Sequence, residues 1–148
     1  MPAEAILEME PKVSRWFTLD AETVARFGQV TGDLKFFHSD EERAAEFLFG
    51  APVAQGFLTL SLLSAMCADA VPPFPGQIAN VNYGFDRVRF VTPVPVGSRV
   101  RGHFTVGGVE EEDERLTVHW DVEVEIEGRG RGEPALVAQW LTFLELRD

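Results

Sequence analysis

The chain reads as an α+β domain, a curled antiparallel sheet around one central helix, and three observations lead there. From Phe57 to Ala68 there is no charged residue, and the apolar side chains run nearly all the way round the helical wheel. A helix of that kind must be enclosed on most sides. After Pro75-Gly76 the pattern turns to strands, clearest where Leu116, Val118, Trp120, Val122, Val124 and Ile126 alternate with Thr117, His119, Asp121, Glu123 and Glu125. The first third of the chain holds two short helices, so helices and strands are segregated along the sequence.

In chain order, residues 1–11 read as a flexible N-terminal arm, and Ser14 to Leu19 as a short strand. Asp20 caps a helix with acids in its first turn and with Val24, Ala25 and Phe27 facing inward, and Thr31-Gly32 ends it. A connector from Asp33 to His38 follows, and Ser39 or Asp40 caps a second short helix ending at Phe47. The central helix then runs from Gly56 to Asp69, roughly 21 Å at ~1.5 Å per residue. It falls short of the ~20 apolar residues a membrane span needs. Thr59, Ser61 and Ser64 can each return a hydroxyl to a carbonyl one turn back. Strands are expected over Ile78–Val91, Ser98–Val106, Leu116–Ile126 and Pro134–Leu146, with Gly107-Gly108 and the acidic run Glu110–Glu114 forming a hairpin tip. The curled sheet has open edges that invite pairing, so a homodimer is expected.

The 148 residues suit a single domain, with no linker or repeat. A net charge of −11 argues against nucleic acid and anionic membrane surfaces as partners. Cys67, the single cysteine, excludes an internal disulfide and reads as a buried thiol. Glu4, Glu8 and Glu10 spoil a signal peptide, so a cytoplasmic protein is expected.

The candidate chemistry precedes and opens the central helix. Asp33 and His38 lie five apart in Thr31-Gly-Asp-Leu-Lys-Phe-Phe-His38, close enough to converge if the connector turns. His38 would then serve as a general base while Asp33 orients it or shares a water with it. The plainer alternative has Asp33 capping a turn and His38 capping the next helix. Gln55-Gly56 begins the central helix, where a bare backbone N–H can donate to a carbonyl oxygen. Equally, Gly56 can serve only to let the chain enter a crowded helix. Arg87 and Arg89 share a strand face and could meet phosphates or pair with acids, and Tyr83 could line a pocket or the core. His103 and His119 read as structural, and His38-Ser-Asp40 lacks a third metal ligand, so no metal is expected.

Together, Thr31-Gly-Asp33, His38-Ser-Asp40, Arg43-Ala44 and Gly56-Phe-Leu-Thr-Leu-Ser61 resemble the MaoC-type (R)-specific enoyl-CoA hydratases. Val81-Asn-Tyr-Gly-Phe-Asp-Arg-Val-Arg-Phe90 with Pro93-Val-Pro-Val-Gly97 resembles the branch that includes nodulation-protein-N-like dehydratases. The resemblance covers roughly residues 15–145 and implies one hot-dog domain, usually dimeric. It implies reversible hydration of a trans-2-enoyl thioester, carried by CoA or acyl carrier protein, to the (R)-3-hydroxyacyl thioester without a cofactor. Asp33 and His38 fall on the family's catalytic pair, Gly56 on its oxyanion-binding glycine, and Ser64 on a serine near the histidine or its water.

Lys35 stands where the family usually has Asn or Gln, Gln55 where it usually has His, and Phe36-Phe37 where it has Trp-Ile or Pro-aliphatic. With Phe37, these changes bear on substrate choice. Lys35 brings a cation within reach of Asp33, and Gln55 can donate but cannot carry a proton at neutral pH. Two other readings stand beside the hydratase. A hot-dog thioesterase typically carries a carboxylate on the central helix, and this helix has none between Gly56 and Ala68. A catalytically silent acyl-thioester-binding relative is suggested by Lys35 and Gln55.

Overall fold

In the computed structural model, residues 2–46, 50–113 and 115–147 are described, with the backbone alone at Phe36 and Phe37. Six strands form one antiparallel sheet: β1 (Lys12–Val13), β2 (Phe17–Thr18), β3 (Gln77–Phe90), β4 (Arg99–Glu112), β5 (Arg115–Ile126) and β6 (Leu136–Leu146). Their order is β1-β4-β5-β6-β3, with β2 also paired to β4, so β3 lies at one edge. The helices are α1 (Pro2–Leu7), α2 (Ala21–Thr31), α3 (Phe36–Ser39), α4 (Glu41–Ala45), α5 (Gly56–Ser61) and α6 (Leu63–Ala70).

Strand β5 follows its sequence pattern residue for residue. Leu116, Val118, Trp120, Val122, Val124 and Ile126 are all buried, and the intervening residues face outward. Across from them, Leu136, Ala138, Trp140 and Leu144 of β6 are buried too. Leu63, Met66 and Cys67 of α6 pack into this concave face with Phe104 of β4. Trp120 Nε1 donates to Thr142 Oγ1 at 2.9 Å, which satisfies the one polar atom the indole brings into the core. The curled sheet around a helix is therefore present.

Several local expectations are corrected. Residues 2–7 form a helix rather than an arm, because Ile6 is fully buried, and Lys12–Val13 extends the sheet beside β4. The connector after Asp33 closes into the single turn α3. Asp20 accepts from Thr23 N and Asp40 from Arg43 N as helix caps, while Ala25 is exposed rather than inward. The second short helix ends at Ala45, and Phe47 lies outside the described residues.

The central helix is divided at Leu62 into α5 and α6, and it is not enclosed all round. Phe57, Ser61, Ser64 and Ala65 are exposed, on a side that no strand fully covers among the described residues. Strand β4 continues through Gly107-Gly108, which is a bulge, and the hairpin turns at Asp113 instead, at φ 53°. Of the three hydroxyls expected to back-bond, Ser61 Oγ donates to the Leu58 carbonyl at 2.7 Å, whereas Ser64 bonds Asn82 instead. Among the described residues, no helix is long and apolar enough to cross a membrane.

Candidate active site

The end of α2 sets the first site residue. Gly32 takes a left-handed conformation (φ 80°) and its N–H caps Gly28, which turns the chain back along the helix. Gly28 is needed for this return, since a Cβ there would lie 2.9 Å from the Asp33 carbonyl oxygen. Asp33 is thereby held beside α3, which carries His38 inward to 8% exposure.

His38 is anchored from behind. Its Nδ1 lies 2.6 Å from the carbonyl oxygen of Val53. A carbonyl can only accept, so Nδ1 carries the hydrogen and a neutral ring presents an acceptor at Nε2. That Nε2 is 3.8 Å from Asp33 Oδ2, too long for a direct hydrogen bond and suited to a shared water. Val53 is itself fixed by a bridge to Pro95, flanked by Ala54 N–H to the Val94 carbonyl (2.8 Å) and Val96 N–H to the Pro52 carbonyl (3.0 Å). Asp40 rather than His38 caps α4, while the Asp33 carboxylate also accepts from the Lys35 backbone N–H, as a turn-capping residue does, so the plainer alternative holds for Asp33 and not for His38.

The second oxygen of Asp33 is occupied. Lys35 Nζ donates to Oδ1 at 2.8 Å. This bond is the largest influence on the carboxyl and holds it below the usual carboxylate range, against partial burial and with a smaller contribution from His38.

These groups line a cavity of ≈ 540 Å³, within the roughly 300–1,000 Å³ common for small-molecule sites. Its far walls are Gly56, Phe57 and Thr59 on α5, with Phe90 to Val94 and Ala135. Gly56 answers to crowding, since a Cβ would meet the Phe90 ring at 2.9 Å, and it also brings bare backbone to the cavity. Both sequence readings of this glycine are thus compatible with the site.

Other candidates lie elsewhere. Gln55 is buried and turned toward α2, where its Nε2 donates to the Val24 carbonyl at 3.0 Å. It lines no part of the cavity, so substrate contact through Gln55 is not what this chain shows. Ser64 is paired with Asn82, whose Oδ1 also accepts from Trp140 Nε1, and borders a separate groove with Tyr83. Tyr83 is exposed and meets Phe143 edge to face at 5.8 Å. Arg87 borders a depression with His103 and Glu123 that shares no lining residue with the Asp33 cavity, and neither Arg87 nor Arg89 forms an ion pair among the described residues. The Phe37 side chain lies outside the described residues. His103 and His119 engage Glu125 and Glu110 on the sheet, as structural histidines do. No metal-ligand cluster occurs among the described residues.

Sequence reasoning missed most of this wall, the Val53 carbonyl, Phe57, Thr59 and Phe90 among it. Thr59 left a signal, for it sits three residues after Gly56 and so on the same helical face.

This architecture is that of the hot-dog proteins, and residues 2–127 match the model of the MaoC like domain. The chain belongs to that family. It is 46% identical over 134 residues to nodulation protein N of Rhizobium leguminosarum bv. viciae, covering 89% of this chain and 82% of that protein. It is 41% identical over 126 residues to 3-hydroxyacyl-thioester dehydratase Z of Mycobacterium tuberculosis, covering 85% and 82%. Among solved structures, the (R)-hydratase from A. caviae involved in PHA biosynthesis superposes with a TM-score of 0.73 at 22% identity, covering 93% of this chain and 95% of that one.

Proposed function

We propose that the protein is an acyl-thioester hydratase that adds water reversibly across a trans-2-enoyl thioester to give the (R)-3-hydroxyacyl thioester. The family and the dehydratase relative support the class of hydro-lyase. The observation that carries the residue assignment is the 3.8 Å gap between Asp33 Oδ2 and His38 Nε2 at the wall of a largely apolar cavity. A water in that gap donates one hydrogen to each acceptor. Nε2 takes a proton as the water oxygen bonds to C3, and the same proton is returned to C2, so the pair is restored after each turnover. Charge gathers on the thioester oxygen during addition, and the Gly56 backbone N–H is the donor available to it. Phe57 and Phe90 surround the acyl group.

The enzyme would act as a homodimer. Ile78, Val81, Tyr83 and Phe85 are exposed on the edge strand β3, next to the open face of α5 with Phe57 at 67% exposure. Light scattering on wild type and Tyr83→Glu checks this; a monomeric wild type would refute it.

The test of the activity is the loss of enoyl-thioester absorbance with crotonyl-CoA and longer trans-2-enoyl-CoAs. Wild type should turn over, while Asp33→Asn and His38→Ala should each lose at least 100-fold, about the contribution of a positioned acid or base. CoA-ester binding without turnover at any chain length would overturn the hydratase and leave the silent binding protein.

A further inference from the structure

Thr59 presents a feature that the hydration scheme does not use. It is 2% exposed, forms part of the wall of the Asp33–His38 cavity, and its Oγ1 has no hydrogen-bond partner among the described residues. A buried hydroxyl left in this way costs about 1–3 kcal/mol, and native folds leave few such groups without a reason. The local remedy was at hand. Ser61, two residues on, returns its hydroxyl to the helix backbone, and Thr59 does not. Threonine on a helix divides between two χ1 rotamers, so its hydroxyl and methyl can exchange places at little cost.

Position supplies the partner. Thr59 follows Gly56 by three residues on one face of α5, a displacement of ~4.5 Å along the helix axis. In a 3-hydroxyacyl thioester, three carbon atoms separate the carbonyl oxygen from the oxygen on C3, a span of the same order. With the carbonyl at Gly56, the C3 oxygen comes level with Thr59, which lines the same cavity as His38.

We propose that the Thr59 hydroxyl is a hydrogen-bond partner for the C3 oxygen of the 3-hydroxyacyl thioester, and so a specificity-determining contact at the reacting carbon. The proposal rests on the hydratase reading for its choice of ligand, but its test does not require turnover. The dissociation constants of (R)-3-hydroxybutanoyl-CoA and butanoyl-CoA, which differ by that one hydroxyl, are measured by calorimetry for wild type, Thr59→Val and Thr59→Ser. Wild type should favour the hydroxy ester by at least roughly threefold, since the C3 hydroxyl meets Thr59 as well as the Asp33–His38 pair. Thr59→Val should cut that ratio by roughly three- to tenfold, the share one net hydrogen bond provides, without weakening butanoyl-CoA, and Thr59→Ser should keep it. Thr59→Val should melt no lower than wild type, since it removes a buried hydroxyl that lacks a partner. Equal affinities in wild type, or an unchanged preference in Thr59→Val, would overturn the proposal. If enoyl-CoA is not hydrated but the binding preference and its loss are found, the contact stands and the catalytic reading falls.

Discussion

Replacing Lys35 with Met removes one cation from Asp33 and leaves a side chain of similar length. The bond it breaks is short, 2.8 Å from Nζ to Oδ1, but its lysine end is 59% exposed while Asp33 is 22% exposed. Two unit charges 4 Å apart attract by about 4 kcal/mol at the effective dielectric of a protein surface and by about 1 kcal/mol in water. The exposed lysine and its side-chain entropy place this pair near the lower figure, at about 1 kcal/mol or less. Without that cation the Asp33 carboxyl should rise back toward its ordinary value. The sign follows from the lowered carboxyl in the folded protein. A group of that kind stabilises the fold above its unfolded value, near ~3.9, and the contribution is lost as pH falls through the folded value. Urea unfolding of wild type and Lys35→Met should therefore differ by up to about 1 kcal/mol at pH 7 and converge under acid, with carbon NMR of the Asp33 carboxyl reporting the shift. Lys35→Arg should behave as wild type. A difference that persists unchanged through the acid range, or a carboxyl that does not move, would show that Lys35 acts through packing and refute the electrostatic account.

Gly56→Ala places a Cβ against the Phe90 ring and should cost about 1–3 kcal/mol of overpacking together with a fall in turnover; unchanged unfolding and kinetics would contradict the close approach. Thr142→Val leaves the buried Trp120 indole N–H without its acceptor and should lower stability by about 1–3 kcal/mol in urea, whereas a neutral result would mean that the core supplies another acceptor. Burial pushes the Cys67 thiol up to about 12, so thiol reagents at pH 8 should label the folded protein very slowly and the urea-unfolded protein fully; rapid native labelling would place Cys67 at an open surface.

How much of this could be read from the chain depends on the range of the interaction involved. The period of β5, the Asp20 cap and the Gly32 stop are set by neighbours a few residues away, and they stand as the sequence suggests. The Asp33–His38 pair was legible as a pair because a five-residue connector needs little more than a turn to close. What did not show was set by distant partners. Ile6 draws the first residues into a helix against β4, nearly a hundred positions away. Gln55 is claimed by the Val24 carbonyl and Ser64 by Asn82, contacts that no local pattern announces. The bulge at Gly107-Gly108 looked like a turn because glycine pairs serve both purposes, and only the pairing of β4 with β5 decides between them.

The clasp at Val53 and Pro95 makes His38 a dependant of two loops rather than of the sheet. Among the described residues, the two backbone hydrogen bonds that make up its single bridge hold it, a small cohesion beside the long ladders joining β4, β5 and β6. Such a segment opens by itself at a free energy below that of global unfolding. Once it parts, the imidazole loses the carbonyl that fixes its tautomer while the barrel-like core stays whole. Heat or mild denaturant should thus silence the protein before it melts, and rejoining the clasp on cooling would restore it without refolding the chain.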